Sequence, residues 1–129
     1  MKILSTAQTR AADQYTISHE PVSSVDLMER AAGKCTDWIA ARYGNENPVA
    51  VFCGNGNNGG DGLAIARLLH ERKYNVSVYV VRPSAKDSAD FSVNLERLKK
   101  CGVVATELAK ENDISALKSD HRIVIDAVF

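Results

Sequence analysis

Apolar residues recur at three- and four-residue steps through Val25, Leu27, Met28, Ala31, Ala32, Cys35, Ile39 and Ala40, a spacing that predicts a long amphipathic helix. Ser23 with Asp26 offers a capping box at its start, Gly44 lies near its end, and Pro48 marks the boundary. Ahead of it, Ser5 with Gln8 opens a first helix of about three turns through Ala7, Ala11, Ala12 and Tyr15, and the stretch containing Pro21 breaks it. The pattern then changes character. Val49 to Cys53 is short and continuously apolar, as in a strand buried on both faces of a parallel sheet. A Gly/Asn loop leads into a helix predicted from Gly62 to Lys73, and the β-branched run Val76 to Val81 forms the next strand. Phe91, Val93, Leu95 and Leu98 predict a further helix ending near Gly102, followed by a weaker strand at Val103 to Thr106. Ile114 and Leu117 suit a short helix, and Ile123 to Ile125 a last strand ended by Asp126. This alternation predicts an α/β fold, a Rossmann-like doubly wound and mainly parallel sheet with two extra N-terminal helices. Residues 1–129 read as one domain.

Composition narrows the partners. The chain has 129 residues, 16 Lys+Arg against 16 Asp+Glu and no net charge, so it has no global basic field to gather nucleic acid or an anionic membrane surface. No apolar run approaches the ~20 residues that cross a bilayer, and Ser5, Thr6, Gln8 and Arg10 interrupt any signal-peptide core. Cys35, Cys53 and Cys101 are odd in number and widely spaced, which reads as a reducing cytoplasm with each thiol a small buried hydrophobe.

The chemistry concentrates between the first strand and its helix, in Gly54-Asn55-Gly56-Asn57-Asn58-Gly59-Gly60-Asp61-Gly62. Glycines allow positive φ and close approach of a ligand to the main chain, and N–H groups at a helix start attract phosphate. So glycine-rich a run reads as a loop and not as a packing element. Gly54, Gly56 and Gly59 satisfy the dinucleotide pattern G-x-G-x-x-G, a weak signal alone. The acidic residue expected at the end of the second strand, where it would hold ribose hydroxyls, is replaced by Tyr79-Val80-Val81-Arg82. Arg82 suits either a 2′-phosphate or an ordinary solvated turn. No Lys-Ser or Lys-Thr follows the glycines, which excludes a nucleoside-triphosphate P-loop. Asn57, Asn58 and Asp61 supply hard oxygen donors suited to an alkali or alkaline-earth cation and unsuited to zinc. Asp126 should emerge at the same sheet edge, either joining them or capping a turn.

These residues resemble the NAD(P)H-hydrate epimerases, the YjeF N-terminal domain family. The likeness rests on the loop from Gly54 to Gly62 with Leu63-Ala64-Ile65-Ala66-Arg67, and on Arg10 and Asp13, Leu27 to Ala32, and Ile125-Asp126-Ala127-Val128-Phe129. The resemblance implies epimerisation at C6 of the hydrated nicotinamide ring of NADH or NADPH, feeding the S form to a dehydratase. It implies substrate contacts from Asn57, Asn58, Gly59, Gly60 and Asp61, and a potassium ion held by Asn58 and Asp126. It also implies a homodimer, and a parent that either stands alone or carries an ADP-dependent dehydratase domain. Members continue with a second glycine-rich loop and an Asp-x-Pro-Ser-Gly stretch, so the chain is expected to be cut after its fourth predicted strand. Of the carboxylates present, Asp61 is the candidate general base, its alternative role being to hold the loop by bonding to nearby N–H groups. A non-catalytic binding scaffold on the same fold is the competing class, disfavoured by the intact Asn-Asn-Gly-Gly-Asp run. A conventional dehydrogenase is disfavoured by the missing ribose acid.

Overall fold

The computed structural model describes residues 23–109 and 122–129. The predicted first helix and the short helix at Ile114 and Leu117 fall outside the described residues. Helix α1 (Ser24–Arg42) begins where the Ser23 hydroxyl accepts the Asp26 N–H at 3.2 Å. It ends at Tyr43, an extended residue whose N–H returns to the Ile39 carbonyl at 2.8 Å. Its buried stripe is Met28, Ala32, Thr36 and Ile39, and the one polar member is satisfied locally, Thr36 Oγ1 donating to the Ala32 carbonyl at 2.8 Å.

The remaining elements alternate as the pattern predicts: β1 (Val49–Cys53), α2 (Asn57–Glu71), β2 (Val76–Val80), α3 (Ala89–Lys100), β3 (Ala105–Glu107) and β4 (Ile123–Ala127). All three strand pairings are parallel, in the order β3-β2-β1-β4. Helix α2 lies on one face of this sheet, between α1 and α3. Leu63, Ile65 and Leu69 from α2 share a core with Val49, Val51, Val78, Val80, Ile123 and Ile125. Each such buried side chain contributes about 1.5–3 kcal/mol.

Three boundaries differ from the periodicity. Helix α2 starts at Asn57, five residues before the expected Gly62, so most of the glycine run is helix and not loop. The third strand sits at Ala105–Glu107, because Val103 is drawn into the core, its N–H bonding the Leu98 carbonyl at 3.3 Å behind α3. Strand β4 continues through Asp126 to Ala127 and alternates: Ile123, Ile125 and Ala127 are buried while Val124 and Asp126 are exposed. Burial on both faces therefore holds for the central strand β1 better than for β4. On the face away from α2, Phe52 and Tyr79 stack with ring centroids 5.1 Å apart.

The topology places the site. From β1 the chain moves to β2 and β3 on one side, and β4 then pairs on the other side of β1. The strand order reverses between β1 and β4, the position where open parallel sheets form a ligand crevice at their carboxyl ends.

Candidate functional site

Gly56 is the N-cap of α2, with φ −95 and ψ −165 and no side-chain cap. The first backbone bond of the turn is Gly60 N–H to the Gly56 carbonyl at 3.0 Å, so the N–H groups of Asn57, Asn58 and Gly59 precede any intrahelical acceptor. Together with the partial positive charge of the helix start, they form an anion-attracting surface at the carboxyl edge of β1.

The glycines serve a purpose the sequence reading assigned elsewhere. Among the described residues the one glycine at positive φ is Gly102, outside this segment, so the run is not selected for left-handed backbone. Close packing demands most of it. A Cβ on Gly59 would run into the Gly54 carbonyl, and one on Gly54 into the Val128 carbonyl. A Cβ on Gly62 would stand 2.7 Å from Ala127 Cβ and 2.9 Å from Cys53 Sγ, and one on Gly60 would stand 3.0 Å from Met28 Sδ. Helix α2 therefore starts directly against the ends of β1 and β4 and against α1. Gly56 differs: it is exposed and a Cβ there would meet nothing within 4 Å, which leaves the front of the helix open to a ligand.

Beside this turn lies a cavity of about 40 Å³, lined by Ala31, Ala32, Cys35, Asn58, Asp61, Gly62, Ile65, Ile125, Asp126 and Ala127. It sits at the β1–β4 switch point and brings together three of the residues singled out from sequence: Asn58, Asp61 and Asp126. Asn57 is exposed and outside this lining, and the buried Gly59 and Gly60 support it from behind. The Asn58 Nδ2 donates to the Phe129 carbonyl, so the acceptor its amide retains for a ligand is Oδ1. Asp126 Oδ1 accepts the Val128 N–H at 3.1 Å, the turn-capping alternative, and its carboxylate still lines the cavity. Asp61 is half-buried, with Oδ1 shielded from solvent.

Cys35 has no counterpart in the sequence reading, where its place on the apolar stripe of α1 marked it as core. It is half-buried, and the crossing of α1 over α2 brings it to the cavity. Burial, reinforced by the nearby Asp61 carboxylate, pushes its thiol pKa up. The protonated thiol is a poor metal ligand, which leaves the cavity with amide and carboxylate oxygens as donors. Such a set fits a hard, weakly hydrated monovalent cation, and the cavity has room for one such ion. Among the described residues, no group of three or more His, Cys, Asp or Glu is placed to hold a metal.

The opposite flank of β1 is closed. Arg82 does not reach out toward a phosphate: its guanidinium grips the Asp87 carboxylate (Nε to Oδ1 3.0 Å, Nη2 to Oδ2 3.3 Å) and also pairs with Glu107. Arg82 is exposed on the turn after β2, as the solvated-turn reading has it, and its guanidinium also lies 5.7 Å from the Phe91 ring. Acidic groups do stand in the loop after β2 and at the end of β3, as Asp87 and Glu107, yet this guanidinium occupies them. Its hydrogen bonds hold the Asp87 carboxyl below the usual carboxylate range.

Comparison with known proteins agrees with the topology. The family model described as YjeF-related protein N-terminus matches residues 24–129. The chain is 38% identical over 126 residues to an NAD(P)H-hydrate epimerase of Limosilactobacillus fermentum, covering 98% of this chain and 58% of that protein. It is 32% identical over 129 residues to one of Leuconostoc citreum (100% and 55%) and 32% identical over 135 residues to one of Rhodobacter capsulatus (99% and 61%). The crystal structure of yeast ynu0, YNL200c, superposes with a TM-score of 0.74 at 24% identity, covering 100% of this chain and 57% of that one, a likeness of fold. The chain thus spans a little over half the length of these relatives. Among the described residues no helix is long and apolar enough to cross a membrane.

Proposed function

We propose, from the premise that the chain belongs to the family of YjeF-related N-terminal domains, that the protein interconverts the R and S hydrates of NADH and NADPH. The observation that carries this reading is the meeting of Asn58, Asp61 and Asp126 on one cavity beside the bare N-terminal turn of α2. The substrate is a dinucleotide whose pyrophosphate needs neutralising without a surplus of Lys or Arg. The N–H groups of Asn57, Asn58 and Gly59 meet that need, and Gly56 lets the anion come close. Gly59 and Gly60 act by letting α2 seat against β1, β4 and α1, which fixes where those N–H groups stand.

Asn58 and Asp126 would hold a potassium ion, which when bound adds positive charge beside the phosphate or ring oxygens. Inversion at C6 requires a bond to C6 to break and re-form on the other face: either the C6 proton leaves and one returns from the opposite side, or the hydroxyl proton leaves as the C6–N1 bond opens to an aldehyde and is returned to the oxygen when N1 adds to the other face. Asp61, half-buried in the cavity wall, is the carboxylate proposed to take that proton. The apolar wall of Ala31, Ala32, Ile65 and Ile125 thins the water around it. The S product suits an S-specific dehydratase as the next catalyst. Three free thiols suit a reducing cytoplasm, and family membership suggests a homodimer.

The test uses the whole protein with a mixture of R and S hydrates and an S-specific dehydratase, following recovery of reduced cofactor. Complete recovery is expected. Consumption of the R form at no more than its spontaneous rate would overturn the reading.

A further inference from the structure

Asn55 is the second residue of the glycine run and takes no part in the cavity, yet it is among the most deeply buried polar residues described, at 1% exposure. Its carboxamide is filled with partners from one loop. Nδ2 donates to the Ser84 carbonyl at 2.8 Å, the Lys86 carbonyl at 3.2 Å and Asp87 Oδ1 at 3.1 Å, while Oδ1 accepts the Ser84 N–H at 3.4 Å. The Asn55 main-chain carbonyl accepts the N–H of Ser88, the N-cap of α3, at 2.9 Å. A single side chain thus ties the β1–α2 connection to the β2–α3 connection. Asparagine alone among the common side chains of this size offers two donors to three oxygens and one acceptor to the N–H. Aspartate, equal in shape, would face those three oxygens with acceptors.

The tie stands directly before Gly56, which has no side-chain cap and nothing within 4 Å of where a Cβ would stand. On its cavity side the turn is held by the packing of Gly54, Gly59 and Val128, and on the other side by Asn55. We infer that Asn55 is a positioning residue, fixing the first-turn N–H groups of α2 for the substrate's phosphates by clamping them to the 84–88 loop. The inference rests on the reading of the site as a hydrate-binding site. Phosphate contacts remote from C6 bind ground state and transition state alike, so loosening them raises KM and leaves kcat in place.

The experiment compares the whole protein with Asn55→Ala, Asn55→Asp and Asp87→Ala, the last removing one of the three Asn55 acceptors, together with the Arg82 pair, at an exposed position in case the first two do not fold. Tyr74→Phe serves as the structural control, deleting the buried hydroxyl that bonds the Tyr43 carbonyl at the amino edge of the sheet. KM for the hydrate should rise about tenfold to a hundredfold in Asn55→Ala, and by a smaller factor in Asp87→Ala, with kcat within about twofold. Amide exchange at Asn57, Asn58 and Gly59 should accelerate about tenfold while that of β2 is unchanged. Tyr74→Phe should lower the melting temperature and leave KM at the parent value. If Asn55 and Asp87 variants keep the parent KM and first-turn exchange rates, or lose kcat instead, the positioning role is overturned. If the parent does not interconvert the hydrates, the functional reading falls, and amide exchange still decides whether the clamp holds the turn.

Discussion

The two flanks of β1 are built from similar materials and do opposite things. Toward β4, asparagine, aspartate and a thiol line a cavity. Toward β2, asparagine, aspartate, glutamate and arginine consume one another's hydrogen bonds and close the edge. Residue type does not separate the flanks. What separates them is what each polar side chain bonds: toward β4, Asn58 and Asp126 bond main-chain groups of Phe129 and Val128 and also line a cavity, whereas toward β2 the side chains bond one another. A carboxylate gripped by a guanidinium has little left to offer a ribose, and both Asp87, in the loop after β2, and Glu107, the last residue of β3, are held that way.

The largest effect is expected where helix meets strand on the β4 side. Gly59→Ala drives a methyl into the Gly54 carbonyl, and the displacement of backbone should cost about 3 kcal/mol or more, read as a fall in the urea midpoint. A near-parental midpoint would show that the β4 flank is not close-packed. Next, Asp126→Asn and Asn58→Ala should each abolish stabilisation by potassium. A site filled at a hundredfold excess over Kd adds about 2.7 kcal/mol, so a melting temperature that still rises with potassium in both variants would sink the cation assignment. Gly56→Ala follows, since its methyl fits the protein: the melting temperature should barely move, whereas KM for the hydrate should rise about tenfold. A change in stability without one in KM would reverse the distinction drawn between packing glycines and the ligand-facing glycine.

The smallest effect belongs to the closed flank. The Asp87 carboxyl is held low chiefly by its hydrogen bonds with Arg82 and also by Asn55. A depressed folded pKa contributes stability above the ordinary carboxylate value of about 4, and that contribution is lost as pH falls through the lower folded value. Asp87→Asn should therefore lower the melting temperature slightly near neutrality, where that contribution is fully present, and converge on the parent below about pH 4, so that part of the acid decline flattens. An unchanged acid limb would mean the pairing carries no stability.

Most of the fold could be read along the chain because it is written in local periodicity. Three- and four-residue apolar steps specify α1, and short apolar runs specify β1, β2 and β4. The errors share a cause. Gly59, Gly60 and Gly62 looked like loop because glycine is a poor helix former, yet contacts with Gly54, Met28 and Ala127 outweigh that preference. Val103 looked like strand because it is β-branched, and the core behind α3 claimed it. Asn58, Asp61 and Asp126 were visible as candidates from chemistry and from their place at strand ends. Cys35 was not, since a thiol on an apolar helical stripe carries no sign of what crosses it.

The order of elements, the glycine-rich turn and the hard-oxygen chemistry follow from residue type and spacing, which act over a few residues. Partnership does not. Phe52 pairs with Asp126 across β1 and β4, and Asn55 bonds Asp87 at a separation of 32 residues. Which polar side chains bond one another and which line the cavity is decided by packing between distant segments. That is why the same residue types close one side of β1 and open the other.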